Sequence, residues 1–357
     1  MTSIERMSRI LQRKPVDRIG LYEGFWGDTR KAWADKFAEG ESFSDHFNFD
    51  MDICATMRWA ADLDFERVVV AEDDDTITYL DGNGATLRRH KHHDTTPEHV
   101  DFSVKEREDY LELIRPKLLD NPRRRINAEA YRRHKEHCAA KDRFFCWAAM
   151  GPFELMHPVC GHEHMLAGMA LDPEWIAGMA MDYCKLYVDL CEELFSAEGL
   201  PDGVWMWEDL GFKERPFMSP AMYSELLLPA HKHLMDYLHS KNLNIIFHSC
   251  GFVEPLIPGF LEAGIDCLQV IEVKAGMDPL RIKKQYGDRL SLMGGIDVRT
   301  IYTNDRNAID RELEAKIPAL MAGSGYALHS DHSIPNTVQY DTYRYFIERG
   351  LELGTYR

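Results

Sequence analysis

A single (β/α)8 barrel, an α/β fold of the TIM type, is the architecture that this sequence predicts. Three observations point to it. From about residue 143 onward, apolar β-prone runs alternate with helical patterns. Those runs are nearly continuous in hydrophobicity, as strands of a parallel sheet covered on both faces are. No Gly-x-Gly-x-x-Gly follows the first strand, so the usual nucleotide signature of an open doubly wound sheet is missing.

Taken in order, the first 20 residues predict a helix that leads through "KPVDRIG" into a short strand. "IGLYEGFW" then places Tyr22, Glu23, Phe25 and Trp26 just past that strand. Residues 66–90 predict strands around tight turns, with a hairpin signal at Asp81-Gly82-Asn83-Gly84. Residues 104–141 are charged and helical in pattern. A helical and hairpin surface insertion is therefore expected at about 70–141, within one domain that spans 1–357. Six strands follow, at 143–150, 203–209, 243–249, 267–272, 290–297 and 325–331. With one or two early strands, these suit the barrel. Between them, Asp172 caps a helix with Pro173 at its first position. Ile176, Met179, Tyr183, Leu186, Leu190 and Leu194 follow at helical spacing, and Gly199 closes the segment. Ser219-Pro220 starts another helix, with Leu227, Leu234 and Leu238 along one side.

Composition narrows the function. The chain has 357 residues, of which 45% are hydrophobic and 11% aromatic, enough for a large core. Its formal net charge of −17 argues against non-specific binding to nucleic acid or to an anionic membrane. No apolar run approaches the roughly 18 residues of a membrane span. The charged N-terminus lacks the apolar core of a secretory signal, so a cytoplasmic location is expected. The eight cysteines include no Cys-x-x-Cys pair and read as reduced, mostly buried thiols.

In a barrel of this kind, chemistry sits at the C-terminal ends of the strands. Those ends carry Glu23, Trp147, Met150, Glu208, Asp209, His248, Cys250, Glu272, Asp297, Asp331 and His332. The stretch "NIIFHSCGF" puts His248 and Cys250 two residues apart, so they face one space if the strand continues. One nitrogen and one sulfur, with His332 as a third ligand or a carboxylate in its place, suit a catalytic zinc. The plainer reading is a strand-capping imidazole and a packed thiol. Glu208 and Asp209 are a general acid and base, substrate anchors or a helix cap. Glu272 binds substrate or pairs with Lys274, and Asp297 equally caps the next helix. The "HKHH" run at His90–His93 reads as solvated surface rather than a metal clip. Tyr22, Phe25, Trp26, Trp147, Trp205 and Trp207 fit the walls of a flat apolar pocket, although any one of them alone is more often core.

Together, "KPVDRI", "GPFE", "EDLG", "FHSCG", "VIEVKAGMDPLRIKKQYGDRLSLMGGID" and "GYALHSDHSIP" resemble the uroporphyrinogen decarboxylase superfamily, from about residue 5 to the C-terminus. The resemblance implies a single barrel and two chemistries. One is a metal-free decarboxylation of a porphyrinogen. The other is methyl transfer by cobalamin-dependent enzymes, whose zinc sits on a His-x-Cys pair and a later cysteine. Here "LYEGFWGDTR" offers an acid and aromatics where the decarboxylases are rich in arginine, and the His-x-Cys pair is present. The later cysteine is replaced by "SDHSIP", which puts His332 at that position. The methyltransferase branch is thus the expectation. Zinc on His248, Cys250 and His332 would polarise the atom that bears the methyl group in a small substrate, a methoxylated aromatic being one candidate. The cobalt of a separate corrinoid protein would attack the methyl carbon. Glu208, Asp209 or Asp331 would orient ligands or protonate the leaving group, and Tyr22, Glu23, Trp26, Trp147 and Glu272 would bind substrate. A decarboxylase and a non-catalytic corrinoid or small-molecule binder are the alternatives. A homodimer is the expected assembly, two-fold dimers being common.

Overall fold

A computed structural model of the chain describes residues 1–93, 96–120 and 122–356. Eight parallel strands form its centre: β1 (Gly20–Leu21), β2 (Met51–Ala55), β7 (Phe144–Met150), β8 (Gly203–Trp207), β9 (Asn244–Ser249), β10 (Cys267–Val270), β11 (Ser291–Gly294) and β12 (Tyr326–Leu328). They run in the order β1-β12-β11-β10-β9-β8-β7-β2. The seam between β1 and β2 is closed by Asp50. Its N–H donates to Leu21 O (2.9 Å), and its carboxylate accepts from the Leu21 N–H (2.9 Å). The fold is the (β/α)8 barrel that the alternation predicts. β2 is the strand that the sequence pattern passes over, since it is short and carries Asp52 within it.

Side chains alternate across each strand. Phe144, Cys146, Ala148, Trp205, Ile246, Cys267, Met293 and Ala327 pack together inside the barrel. Met7, Ile10 and Leu11 of helix Ser3–Leu11 join them. That helix fills one end of the barrel, and the cavity lies at the other, at the C-terminal ends of the strands. The opposite strand faces pack on the surrounding helices. Pro173–Glu198 is the longest of these; Asp172 caps it by accepting from the Trp175 N–H, and Gly199 ends it. Ser219 likewise caps Pro220–Leu226 by accepting from the Met222 N–H.

Between β2 and β7 stands a separate antiparallel sheet of β3 (Val68–Glu72), β4 (Thr76–Leu80), β5 (Ala85–His90) and β6 (Glu98–Phe102). Its β4–β5 hairpin turns at the predicted Asp81–Gly84, where Asp81 Oδ1 accepts from the Asn83 and Ala85 N–H groups. Further along, helix Ala128–Ala140 lies on the barrel itself, its Tyr131 ring 5.0 Å from Phe145 of β7. Among the described residues, no helix is long and apolar enough to cross a membrane.

Candidate functional site

Strand register assembles the site. Met150 of β7 is opposite Trp207 of β8, Trp207 is opposite His248 of β9, and His248 is opposite Gln269 of β10. These inward positions form the last layer before the mouth. Above them opens a cavity of about 560 Å³, lined by Tyr22, Glu23, Trp26, Trp205, Trp207, His248, Cys250, Gln269, His329 and His332, among others.

His248 and Cys250 do look into one space: Cys250 Sγ is 3.2 Å from His248 Nε2. Asp209 completes the group. Its Oδ1 accepts from the Cys250 N–H (2.7 Å) and lies 3.4 Å from His248 Nε2. Ligand atoms of Asp209, His248 and Cys250 all fall within 4.8 Å of one another, a spacing that suits one metal ion. Burial, with the Asp209 and Glu272 charges behind it, holds the Cys250 thiol well above its ordinary pKa. A dication at this spot would invert that balance and favour the thiolate.

The loops that carry these residues are clamped at glycines. Gly251 takes φ +75, and a Cβ on it would overlap the Gly211 backbone. The Phe252 N–H donates to Phe212 O across the same contact (2.9 Å). Backbone can approach that closely only where no Cβ intervenes. Glu272 fastens the other side by accepting from the Gly251 N–H (2.6 Å) and pairing with Lys274 (3.2 Å).

Behind His248 runs a chain of polar groups that the sequence reading missed. His248 Nδ1 is hydrogen-bonded to Gln269 Oε1. Since Oε1 only accepts, Nδ1 carries the proton and Nε2 presents a lone pair toward Cys250 and Asp209. Gln269 Nε2 donates in turn to His329 Nε2 (3.2 Å), and the His329 Nδ1–H donates to Ser330 O (2.6 Å). Burial takes His329 down to about 3, which keeps it neutral. Glu23 lies beside it and accepts from the N–H groups of Gly24 and Ser330 (both 3.0 Å). Burial outweighs those bonds and pushes the Glu23 carboxyl up to about 8. Gln269 was detectable as the one polar residue at an inward position of an apolar strand, whereas the role of His329 depends on where Gln269 points.

The remaining sequence candidates separate by direction. Tyr22, Glu23, Trp26 and His332 reach the cavity, with the His332 ring 5.8 Å from Trp26. His332 is not part of the Asp209–His248–Cys250 group. Trp147 is fully buried and packs against Tyr187 and Phe195 on the outer face of the barrel, away from the cavity, because β7 turns its odd-numbered residues outward. Glu208, also fully buried, accepts from the Phe153 and Glu154 N–H groups (both 2.9 Å) and from His231 (2.6 Å). It caps helix Pro152–Leu171, which precedes it in sequence. Asp331 accepts from the Val298 (2.8 Å) and Val273 (2.9 Å) N–H groups and so ties together the loops after β10 and β11. Asp297 is a helix cap, accepting from the Arg299 N–H. His90, His92 and His93 sit at the exposed end of the hairpin arm, with the His92 ring bonded to Asp74 O.

Comparison with known proteins places the chain. A family model described as uroporphyrinogen decarboxylase (URO-D) matches residues 2–352. A methyltransferase from Methanosarcina mazei is 15% identical, with a TM-score of 0.70 over 99% of this chain and 99% of that one, a likeness that speaks for the fold. A Bacillus subtilis mannanase is 8% identical over 94% of this chain and 86% of that one, but its TM-score of 0.43 carries no argument. No curated protein matches the chain in sequence. The extent of the family match, on a barrel whose mouth carries the motifs described above, means that the chain belongs to the uroporphyrinogen decarboxylase family.

Proposed function

We propose that this protein is a methyltransferase that holds zinc on His248, Cys250 and Asp209. It moves a methyl group between a small substrate in the barrel mouth and a corrinoid carried by a separate protein. The observation that supports this most directly is the 3.2 Å approach of His248 Nε2 to Cys250 Sγ, with Nδ1 committed to Gln269. When bound, zinc supplies a Lewis acid for the atom that bears the methyl group, and the partner's corrinoid exchanges that group.

The chain's own residues do the rest. Gln269 fixes the tautomer and tilt of the His248 ring. Asp209 holds the Cys250 backbone and offers a third ligand, which leaves His332, beside Trp26, to meet the substrate or serve as a further ligand. Tyr22, Trp26, Trp205 and Trp207 give the cavity flat apolar walls, which fit a methoxylated aromatic. Glu23, whose carboxyl burial raises to about 8, lines the cavity beside His329. No lysine or arginine is among the described residues that line the cavity, so the many carboxylates of a porphyrinogen would lack counter-charges there. That disfavours decarboxylation of such a substrate. The Methanosarcina mazei protein that shares the fold is a methyltransferase, in keeping with this reading.

The test combines elemental analysis with an anaerobic assay of methyl transfer from methoxylated aromatics to free cob(I)alamin. His248→Ala and Cys250→Ala are each expected to lose one zinc equivalent and to reduce transfer to background. Variants that keep both the metal and the activity would rule the reading out.

A further inference from the structure

Away from the His248–Cys250 pair, three more imidazoles converge. His99 stands on β6, and His157 and His162 on helix Pro152–Leu171. One ring nitrogen of each falls within 4.8 Å of the others. The His157 and His162 ring centroids are 4.4 Å apart, and His99 lies 5.6 Å from His157 and 6.2 Å from His162.

Sequence spacing does not predict this. Residues five apart on an unbroken helix point roughly 140° away from each other. His157 and His162 meet because the helix is broken between them, at Gly161 with φ 70° and ψ 158°. The break is packed against the sheet: the Phe102 ring of β6 occupies the place where a Cβ on Gly161 would be, so only glycine fits there. The strand packed against the break also delivers His99, three residues before Phe102. The antiparallel sheet and the broken helix thus build the cluster jointly.

The two nitrogens of His157 have different surroundings. Nε2 lies 3.0 Å from Glu154 Oε1, to which its proton is donated. Nδ1 is enclosed and has no hydrogen-bond partner among the described residues. A buried imidazole nitrogen with an unused lone pair is unusual in a folded protein. A carboxylate on one nitrogen with the other left open is the arrangement of a metal-ligating histidine. Phe217 covers His162 at 5.3 Å, which leaves its ring part-shielded from solvent.

We propose that His99, His157 and His162 form a second metal site, for zinc or a similar late first-row dication, with Glu154 orienting His157. Three imidazoles with an open fourth position suit such an ion. This site shares no ligand with His248 and Cys250.

Chelator-stripped full-length protein would be titrated with zinc and analysed for bound metal, beside His157→Gln, His162→Gln and Cys250→Ala. Two equivalents are expected in the parent chain, and one in each variant. Combining His157→Gln with Cys250→Ala should leave none. With cobalt(II) in place of zinc, thiolate-to-metal absorption should vanish only with Cys250→Ala, and the histidine variants should keep it while losing the d–d intensity that the second site contributes. Melting of the stripped variants distinguishes lost ligands from a lost fold: the expected result is an unchanged metal-free Tm with a smaller zinc-induced rise. A single equivalent in the parent chain, kept by both histidine variants, would overturn the proposal. So would an unchanged zinc-induced rise in those variants. Neither result bears on the zinc at His248 and Cys250, whose own failure would show as Cys250→Ala retaining all its metal.

Discussion

At the scale of single residues, Gln269 and Glu23 set the character of the barrel mouth. Gln269 lines the cavity and decides which nitrogen of His248 is free. Gln269→Ala is therefore expected to weaken zinc binding by about 10–100-fold, read by competition with a chromogenic chelator. Glu23 makes a pH prediction. Its carboxyl is raised from 4.5 to about 8 in the fold, chiefly by burial. A raised folded-state pKa means that the native chain binds the extra proton between those values. The stability it contributes is fully present below pH 4.5 and is lost as pH rises through about 8. Tm measured from pH 5 to 9 should thus fall more steeply in the parent chain than in Glu23→Gln. Parallel profiles would show that Glu23 does not titrate in this range.

At the scale of elements, the loops after the strands are positioned by buried carboxylates that never reach the cavity. Glu208 illustrates this. It caps helix Pro152–Leu171, and a Cβ on Gly151 would overlap its carboxylate, so the "GPFE" and "EDLG" segments fit together as one joint. His231, held to Glu208 and to Tyr223 (2.9 Å), extends that joint to helix Leu228–Ser240. Glu208→Ala strands two backbone donors and one imidazole in a dry interior. At about 1–3 kcal/mol for each group left unsatisfied, a loss of roughly 3 kcal/mol or more is expected in urea unfolding. The zinc equivalent assigned to His248 and Cys250 should survive in the folded fraction. Its disappearance would move Glu208 from a positioning role into the metal site.

For the whole molecule, the barrel depends on its seam. β1 and β2 share so little ladder that Asp50 replaces it, and Asp50 is fully buried. Besides Leu21, it binds Arg6 Nη1 (2.8 Å), Arg18 Nη1 (2.7 Å) and Ser3 Oγ (2.8 Å). One carboxylate therefore joins the N-terminal helix to both strands of the seam. Removing one partner of a buried ionic cluster leaves the others uncompensated, at about 3–5 kcal/mol. Asp50→Ala should lower urea stability by that amount. A change under about 1 kcal/mol would mean that the seam is held elsewhere.

The sequence alone determined the barrel, because most of its strands and helices carry their own local signal. Continuous apolar runs mark β7 to β12, Asp172 and Ser219 cap their helices as their residue types require, and Asp81–Gly84 turns where its glycines permit. It also pointed to one space for His248 and Cys250 if the strand continued; β9 ends at Ser249, and the structure still sets the two side chains 3.2 Å apart. β2 escaped notice because five residues interrupted by Asp52 give too weak a pattern. Direction in three dimensions was not legible either. Glu208, Asp331 and Glu272 stand at or just past strand ends and Trp147 lies within β7, yet each points into a loop joint or the outer core. Only the tertiary structure brought an Asp209 oxygen within 4.8 Å of His248 and Cys250. It alone aligned Gln269 with His329, and it brought His99 to His157 and His162. The physical reason is common to all of these: loop closure, a glycine contact or a broken helix sets where a side chain points, and those depend on residues distant in sequence.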